Sequence, residues 1–137
     1  MAGVGAIDVA GAGGTSWSEV EKNRALTETG RAVAAAFRSW GMPTARCLMD
    51  VRGALPAVPL IASGGLRDGI DVAKALALGA DLAGMAAPLL RPATQSTRAV
   101  VDAIEVIVGT LRVAMFAMGA ADLTGLRSPD VIESTES

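Results

Sequence analysis

The spacing of apolar and polar positions is clearest over Val58–Leu90. Val58–Ala62 is a short apolar run, the pattern of a strand buried on both faces. It stops at Ser63-Gly64-Gly65. From Asp71 to Leu78 the period changes. Val72, Ala75, Leu76 and Gly79 fall on one side at helical spacing, which predicts a helix closed by Gly79. Leu82–Ala86 is a second apolar run, ending in small residues before Pro88. Strand, glycine loop, helix, strand is a βαβ unit, and its helical crossover makes the two strands parallel.

The flanking segments extend this α/β rhythm. Ala6–Val9 predicts another buried strand, followed by the glycine-rich Ala10–Trp17, AGAGGTSW. Trp17 reads as a core residue rather than a site residue. Glu19, Glu21, Lys22 and Arg24 read as a solvated face or a lid segment. A helix is predicted over Thr27–Trp40, capped by Thr27, with Val33, Phe37 and Trp40 on its apolar side and Gly41 and Pro43 after it. Cys47-Leu48-Met49 with Val51 and Leu55 forms a short amphipathic piece that Pro56 ends. Pro92 opens a new segment. Thr97–Met118 predicts a long helix, since Val101, Ile104, Val108, Leu111 and Met115 recur at helical spacing. Asp102 near its start and Arg112 near its end suit the helix dipole. Ala121–Leu126 reads as one more turn. Residues 1–127 are expected to form one α/β unit with strands near Ile7, Leu60 and Leu82, and 128–137 a loose, disordered tail. A core strand so close to Met1, after an Ala2-Gly3 that looks like a helix end, predicts a chain that starts partway through a larger fold.

The glycine loops are where chemistry is expected. Gly64 and Gly65 carry no side chain to hold a ligand off the backbone, and they tolerate positive φ. Their amides, with those near Leu66 and Arg67, are placed to face one anion, and Arg67 adds a positive charge. The following helix N-terminus favours the same sign. The second strand ends at Gly84-Met85-Ala86-Ala87, again with unobstructed amides. A phosphate is the expected ligand, because the loops after the last two strands of a parallel barrel commonly hold one. Gly13 and Gly14 give room in the first loop, and Thr15 and Ser16 offer hydroxyls.

Composition narrows the classes. Hydrophobic residues make up 51% and aromatics only 3%, so the core must be aliphatic. The net charge of −2, without a basic run, argues against nucleic acid as a partner. There is no histidine, which excludes histidine metal sites and histidine acid–base catalysis from this chain. Cys47 is the one cysteine and reads as a small buried hydrophobe; an internal disulfide is impossible, which fits a cytoplasmic setting. No basic n-region precedes an apolar stretch, and no apolar run is long enough to span a bilayer.

Two groups of residues carry a family resemblance. Ala6-Ile7-Asp8-Val9 with Gly11–Trp17 and Val20-Glu21 resembles the type 2 isopentenyl-diphosphate isomerases. So do IASGGLRDGIDVAKALALGADLAGMAAPLL and Leu111–Phe116, LRVAMF. The glycine loop and last strand alone are less specific, being shared with FMN-dependent hydroxy-acid oxidases; GGTSW and LRVAMF make the likeness specific. The resemblance implies the C-terminal portion of a TIM (β/α)₈ barrel, with strands six to eight. It implies an enzyme that interconverts isopentenyl and dimethylallyl diphosphate in isoprenoid biosynthesis, using reduced FMN, Mg²⁺ and NADPH, and a homo-oligomer when complete. It assigns FMN to Thr15, Gly64, Gly65, Leu66, Arg67, Met85 and Ala86, and puts Trp17 near the isoprenoid pocket. The family's lysine beside the flavin, its Gln–Glu pair for substrate and Mg²⁺, and its Arg–Lys diphosphate grip lie upstream of the segment matched here. No catalytic or metal-binding residue is therefore assigned, and Asp8, Asp50 and Asp81 are no substitute. The chain alone is expected to be inactive. Two alternatives remain: part of an FMN-dependent hydroxy-acid oxidase or dehydrogenase, whose catalytic histidine is not found here, and a non-catalytic half-barrel that binds phosphate.

Overall fold

Three short strands form the centre of the computed structural model, which describes residues 3–127. They are Ile7–Ala10 (β1), Leu60–Ser63 (β2) and Leu82–Ala83 (β3), parallel and in the order β1-β2-β3. Ile7 pairs with Leu60, Asp8 with Ile61 and Val9 with Ala62; Ile61 in turn pairs with Leu82. Six helices connect and follow them: α1 (Trp17–Arg24), α2 (Glu28–Ala36), α3 (Thr44–Ala54), α4 (Gly69–Ala77), α5 (Ala87–Ala93) and α6 (Thr97–Ala117). A single 3₁₀ turn, Gly125–Arg127, ends the described part. The tail expected at 128–137 lies outside the described residues.

The core sits on one side of the sheet. Val9, Leu60 and Ala62 point there and meet Leu48 of α3 and Val72, Ala75 and Leu76 of α4, with Ile107 and Leu111 of α6 packed behind. Strand residues alternate between faces, so Asp8, Ile61, Ser63 and Leu82 share the opposite face, which the described residues leave half-buried or exposed. Leu82 is 62% exposed there. The expectation of a strand buried on both faces is therefore corrected: Leu60 and Ala62 are buried, and Ile61 and Ser63 are half-buried. The helices that pack on the strands, α3 and α4, meet the face that carries Val9, Leu60 and Ala62.

The helix starts follow their caps. Thr27 Oγ1 accepts the Gly30 amide, and Ser96 Oγ accepts that of Ala99. Asp68 Oδ1 accepts the amides of Ile70 and Asp71, so α4 begins at Gly69, two residues before the expected Asp71. The expected helix to Trp40 stops at Ala36, and Phe37, Arg38 and Trp40 bond back in a turn. The charged stretch after Ser16 forms α1, and Trp17 is 73% exposed, which corrects its reading as core. α1 buries no residue at all, so nothing draws its first side chain inward. Leu82–Ala86 is strand only at its first two residues; Ala87 and Pro88 open α5, where proline suits a first turn.

An ionic cluster closes the N-terminal ends of the strands. Asp81 Oδ2 accepts the Leu60 amide at 2.9 Å and Arg52 Nη2 at 2.7 Å, while Arg127 Nη2 stands 2.9 Å from Oδ1. Arg52 also donates to the carbonyls of Pro56, Val58 and Gly79. Leu126, fully buried, is fixed beside it by this turn. The Leu60 amide, then the two arginines, hold the Asp81 carboxyl below its ordinary value of 3.8. A depressed carboxylate stabilises the fold above its unfolded value, and that contribution disappears as pH falls through the lower, folded value. Asp81→Asn is therefore expected to cost about 1–2 kcal/mol near neutrality, after allowing for the solvent around a half-exposed cluster. The difference from the parent should shrink as urea midpoints are read at successively lower pH, below about 4. A midpoint unaltered at neutral pH would contradict this role for the cluster.

Candidate functional site

At the other end of the strands, the three strand-end loops meet around one cleft of about 660 Å³. Gly13, Gly14 and Thr15 follow β1, Ser63–Arg67 follow β2, and Gly84–Ala87 follow β3. All seven residues singled out for cofactor binding line it: Thr15, Gly64, Gly65, Leu66, Arg67, Met85 and Ala86.

The loops interlock through their backbones. Gly64 and Gly65 have φ of +84° and +95°, angles that side chains seldom allow. A Cβ on Gly65 would run into the Gly13 carbonyl, and one on Gly64 would stand 2.9 Å from the Gly11 oxygen. Conversely, a Cβ on Gly13 would stand 2.7 Å from the Gly64 oxygen. The glycines of both loops are thus required by their contact with each other, whatever the cleft holds. Thr44 at the start of α3 locks the pair: it is buried, and its Oγ1 donates to the Gly64 carbonyl at 2.7 Å. Sequence reading missed Thr44; its only signal was Pro43-Thr44 opening a helix.

The cleft's chemistry is set by backbone donors. Among the described residues, the amides of Gly65, Leu66, Met85 and Ala86 donate to no protein acceptor. Donors already fixed in place bind an anion with little reorganisation. The Arg67 amide is not one of them. It donates to Asp71 Oδ2 at 3.1 Å, and the Arg67 guanidinium reaches the same carboxylate at 2.8 Å. The first amides of α4 are taken by Asp68. The helix end and the arginine are therefore less available to an anion than the sequence implies. The hydrogen bond from Arg67 holds the Asp71 carboxyl below its ordinary range, and the same bond raises Arg67. Since Arg67 is mostly exposed and already paired, Arg67→Ala should weaken anion binding only about two- to threefold, and less at high salt. A loss near a hundredfold in a phosphate or flavin titration would contradict this.

A second cavity adjoins the first. Thr15 and Trp17 line it with Phe37, Trp40, Met42 and Cys47. Phe37 and Trp40 meet edge to face, with ring centres 5.8 Å apart. Cys47 is half-exposed rather than buried, beside the Met42 carbonyl. Among the described residues, no group of three or more His, Cys, Asp or Glu is placed to hold a metal ion, and no helix is long and apolar enough to cross a membrane.

Parallel strands joined by helical crossovers, with their C-terminal loops gathered around one cleft, define an α/β fold built of βα units. The family profile described as FMN-dependent dehydrogenase matches residues 2–133, and the chain belongs to that family. Among curated proteins it is similar to isopentenyl-diphosphate delta-isomerases. It is 55% identical to that of Stutzerimonas stutzeri over 96% of this chain and 38% of the relative, and 57% identical to that of Cronobacter sakazakii over 92% and 36%. The chain spans little more than a third of the length of these relatives. Among solved structures, a flavocytochrome b2 double mutant with pyruvate bound superposes with a TM-score of 0.66 at 23% identity, over 89% of this chain and 33% of that one. The same double mutant with sulfite bound gives 0.67 at 22% identity, over 95% and 36%. At those identities the likeness speaks for the fold alone, and it agrees with the barrel expected from the sequence.

Proposed function

We propose that this chain forms the flavin-phosphate side of an FMN-dependent isopentenyl-diphosphate delta-isomerase. One observation carries the reading: residues from the ends of two neighbouring strands whose amides donate to no protein acceptor, Gly65, Leu66, Met85 and Ala86 among them, line a cleft at the C-terminal face of the sheet. A phosphate dianion suits that donor set. Gly65, Leu66, Met85 and Ala86 would hold it, with Thr15, Gly64 and Arg67 around it. The cleft's size falls within the range of cofactor sites. Reduced FMN would supply proton transfer to and from the five-carbon diphosphates. This chain's own part is to bind and orient the cofactor, and the apolar cavity beside Trp17 would receive the isoprenoid. Mg²⁺, NADPH, cytoplasmic location, homo-oligomeric assembly and a place in isoprenoid biosynthesis belong to the same proposal, and the Mg²⁺ ligands would lie in the part of the relatives that this chain does not match.

The test is a chimeric barrel in which this chain replaces the matching segment of the Stutzerimonas stutzeri relative. It should bind FMN and interconvert isopentenyl and dimethylallyl diphosphate, whereas the chain alone should show no turnover. A chimera that folds and binds FMN but oxidises a 2-hydroxy acid instead would favour the dehydrogenase reading that the family description suggests.

A further inference from the structure

An apolar groove of about 660 Å³ runs between α4 and α6, and it shares no lining residue with the phosphate cleft. Ile70, Ala73 and Ala77 of α4 form one wall, and Val113, Ala114 and Ala117 of α6 the other. Ile70 and Val113 are exposed there. Thr110 Oγ1 donates back to the Val106 carbonyl at 2.8 Å, which leaves Lys74 as the one charge in the lining. A contiguous apolar surface of this kind marks a place where something else packs. One end of the groove is formed by Ala77 and Leu78, and the same two residues line a smaller cavity together with Arg127. Arg127 is held in place: its Nη2 stands 2.9 Å from Asp81 Oδ1 and donates to the Ala80 carbonyl at 3.2 Å, and Leu126 before it is fully buried. The chain therefore leaves the described part at one end of the groove.

We propose that the segment after Arg127, residues 128–137, docks in this groove, with Val131 and Ile132 against its apolar walls and an acidic side chain on Lys74. Three observations choose this occupant. The first is composition: the segment reads SPDVIESTES, one apolar pair set among Asp130, Glu133 and Glu136, with no lysine or arginine. It offers apolar surface to apolar walls and negative charge to a single cation. The second is reach. Val131 and Ile132 follow Arg127 by four and five residues, so extended backbone carries them about 13–18 Å from it. Along α4, Lys74 stands about 5 Å from the Ala77 end and Ile70 about 10 Å, at a rise of about 1.5 Å per residue. The pair can therefore reach the whole groove. The third is the tether itself: a segment anchored at Arg127 meets the groove at a high effective concentration, which a free partner lacks. The inference stands apart from the flavin reading.

The experiment uses the chimeric barrel, carrying this chain through to Ser137, with methyl-labelled isoleucine, valine and methionine. Deleting residues 128–137 should move the methyl signals of Ile70, Val113 and Met118, and Ile132→Asp should move them to the same positions. Ser134→Ala should leave them in place. Val113→Asp alters the groove and leaves the segment's sequence intact. It should let a glutamate-specific protease cut after Glu133 about tenfold faster, since cleavage follows the population of the open form. Lys74→Ala should raise that rate about two- to threefold, and less at high salt. Flavin affinity should stay at the parent's value in every variant, because none of them touches the cleft. Methyl signals unmoved by the deletion, or cleavage as fast in the parent as in Val113→Asp, would overturn the inference. Methyl signals that shift with protein concentration and still do so after the deletion, with dimers in sedimentation, would assign the groove to a second copy of the chain and overturn it equally.

Discussion

Gly65→Val is expected to abolish flavin binding and to destabilise the fold by about 3 kcal/mol or more. Two effects add. Gly65 sits at φ +95°, where a β-branched residue is strained by roughly 1–2 kcal/mol. Its new Cβ would also overlap the Gly13 carbonyl, and backbone on backbone cannot be relieved by a rotamer change. Overpacking of this kind costs about 1–3 kcal/mol. Relief requires the two glycine loops to separate, which moves the Gly65 and Leu66 amides away from their positions in the cleft. Leu66→Val is the control: it keeps its amide, trims a buried side chain and should cost about 1 kcal/mol with little loss of flavin. Urea midpoints and flavin titrations of the two variants separate the cases. Gly65→Val with the parent's midpoint and the parent's affinity would show that the loops do not meet as described.

Gly69→Ala is expected to produce the second large effect, and its sign opposes helix propensity. Gly69 is the first residue of α4, where alanine would ordinarily help by up to about 1 kcal/mol. Here a Cβ would run into the backbone of α6, at the Leu111 nitrogen and the Ile107 oxygen. The two helices touch at this point, and α6 carries Ile107 and Leu111 against the core. Pushing α6 out loosens that packing, so a net loss of about 2–4 kcal/mol is expected. Gly109 on α6 makes the comparison: a Cβ there meets nothing within 4 Å. Gly109→Ala should therefore stabilise by up to about 1 kcal/mol. Opposite shifts of the two denaturation midpoints are the expected result; Gly69→Ala at or above the parent's midpoint would contradict the close approach of α4 and α6.

The βαβ unit was legible because its signals were local. Leu60–Ala62 has strand composition, α4 has helical spacing, and Gly64, Gly65 and Gly79 take the positive φ that their positions suggested. Two elements escaped although signals existed. Ser16-Trp17-Ser18-Glu19 is a capping pattern, and Ser16 Oγ accepts the Glu19 amide, yet the charged run after it obscured α1. Pro88 marks the first turn of α5, which the preceding apolar run concealed. What could not be read was contact between distant segments. Thr44 on the Gly64 carbonyl, Gly13 against Gly65 and Arg52 and Arg127 on Asp81 join residues whose separation in sequence carries no periodicity. The same holds for Arg67. Its charge was visible, but its pairing with Asp71, one helical turn on, decides how much of that charge reaches a ligand.

The central claim, that backbone amides at two strand ends form the phosphate site, is tested most directly by amide chemical shifts. In the chimeric barrel labelled with ¹⁵N, titration with FMN should move the amides of Gly65, Leu66, Met85 and Ala86 together, in the direction of a new acceptor. Riboflavin, which has no phosphate, should leave those four largely in place. Saturating FMN binding with these amides unmoved, or with the same shifts from riboflavin, would contradict the claim.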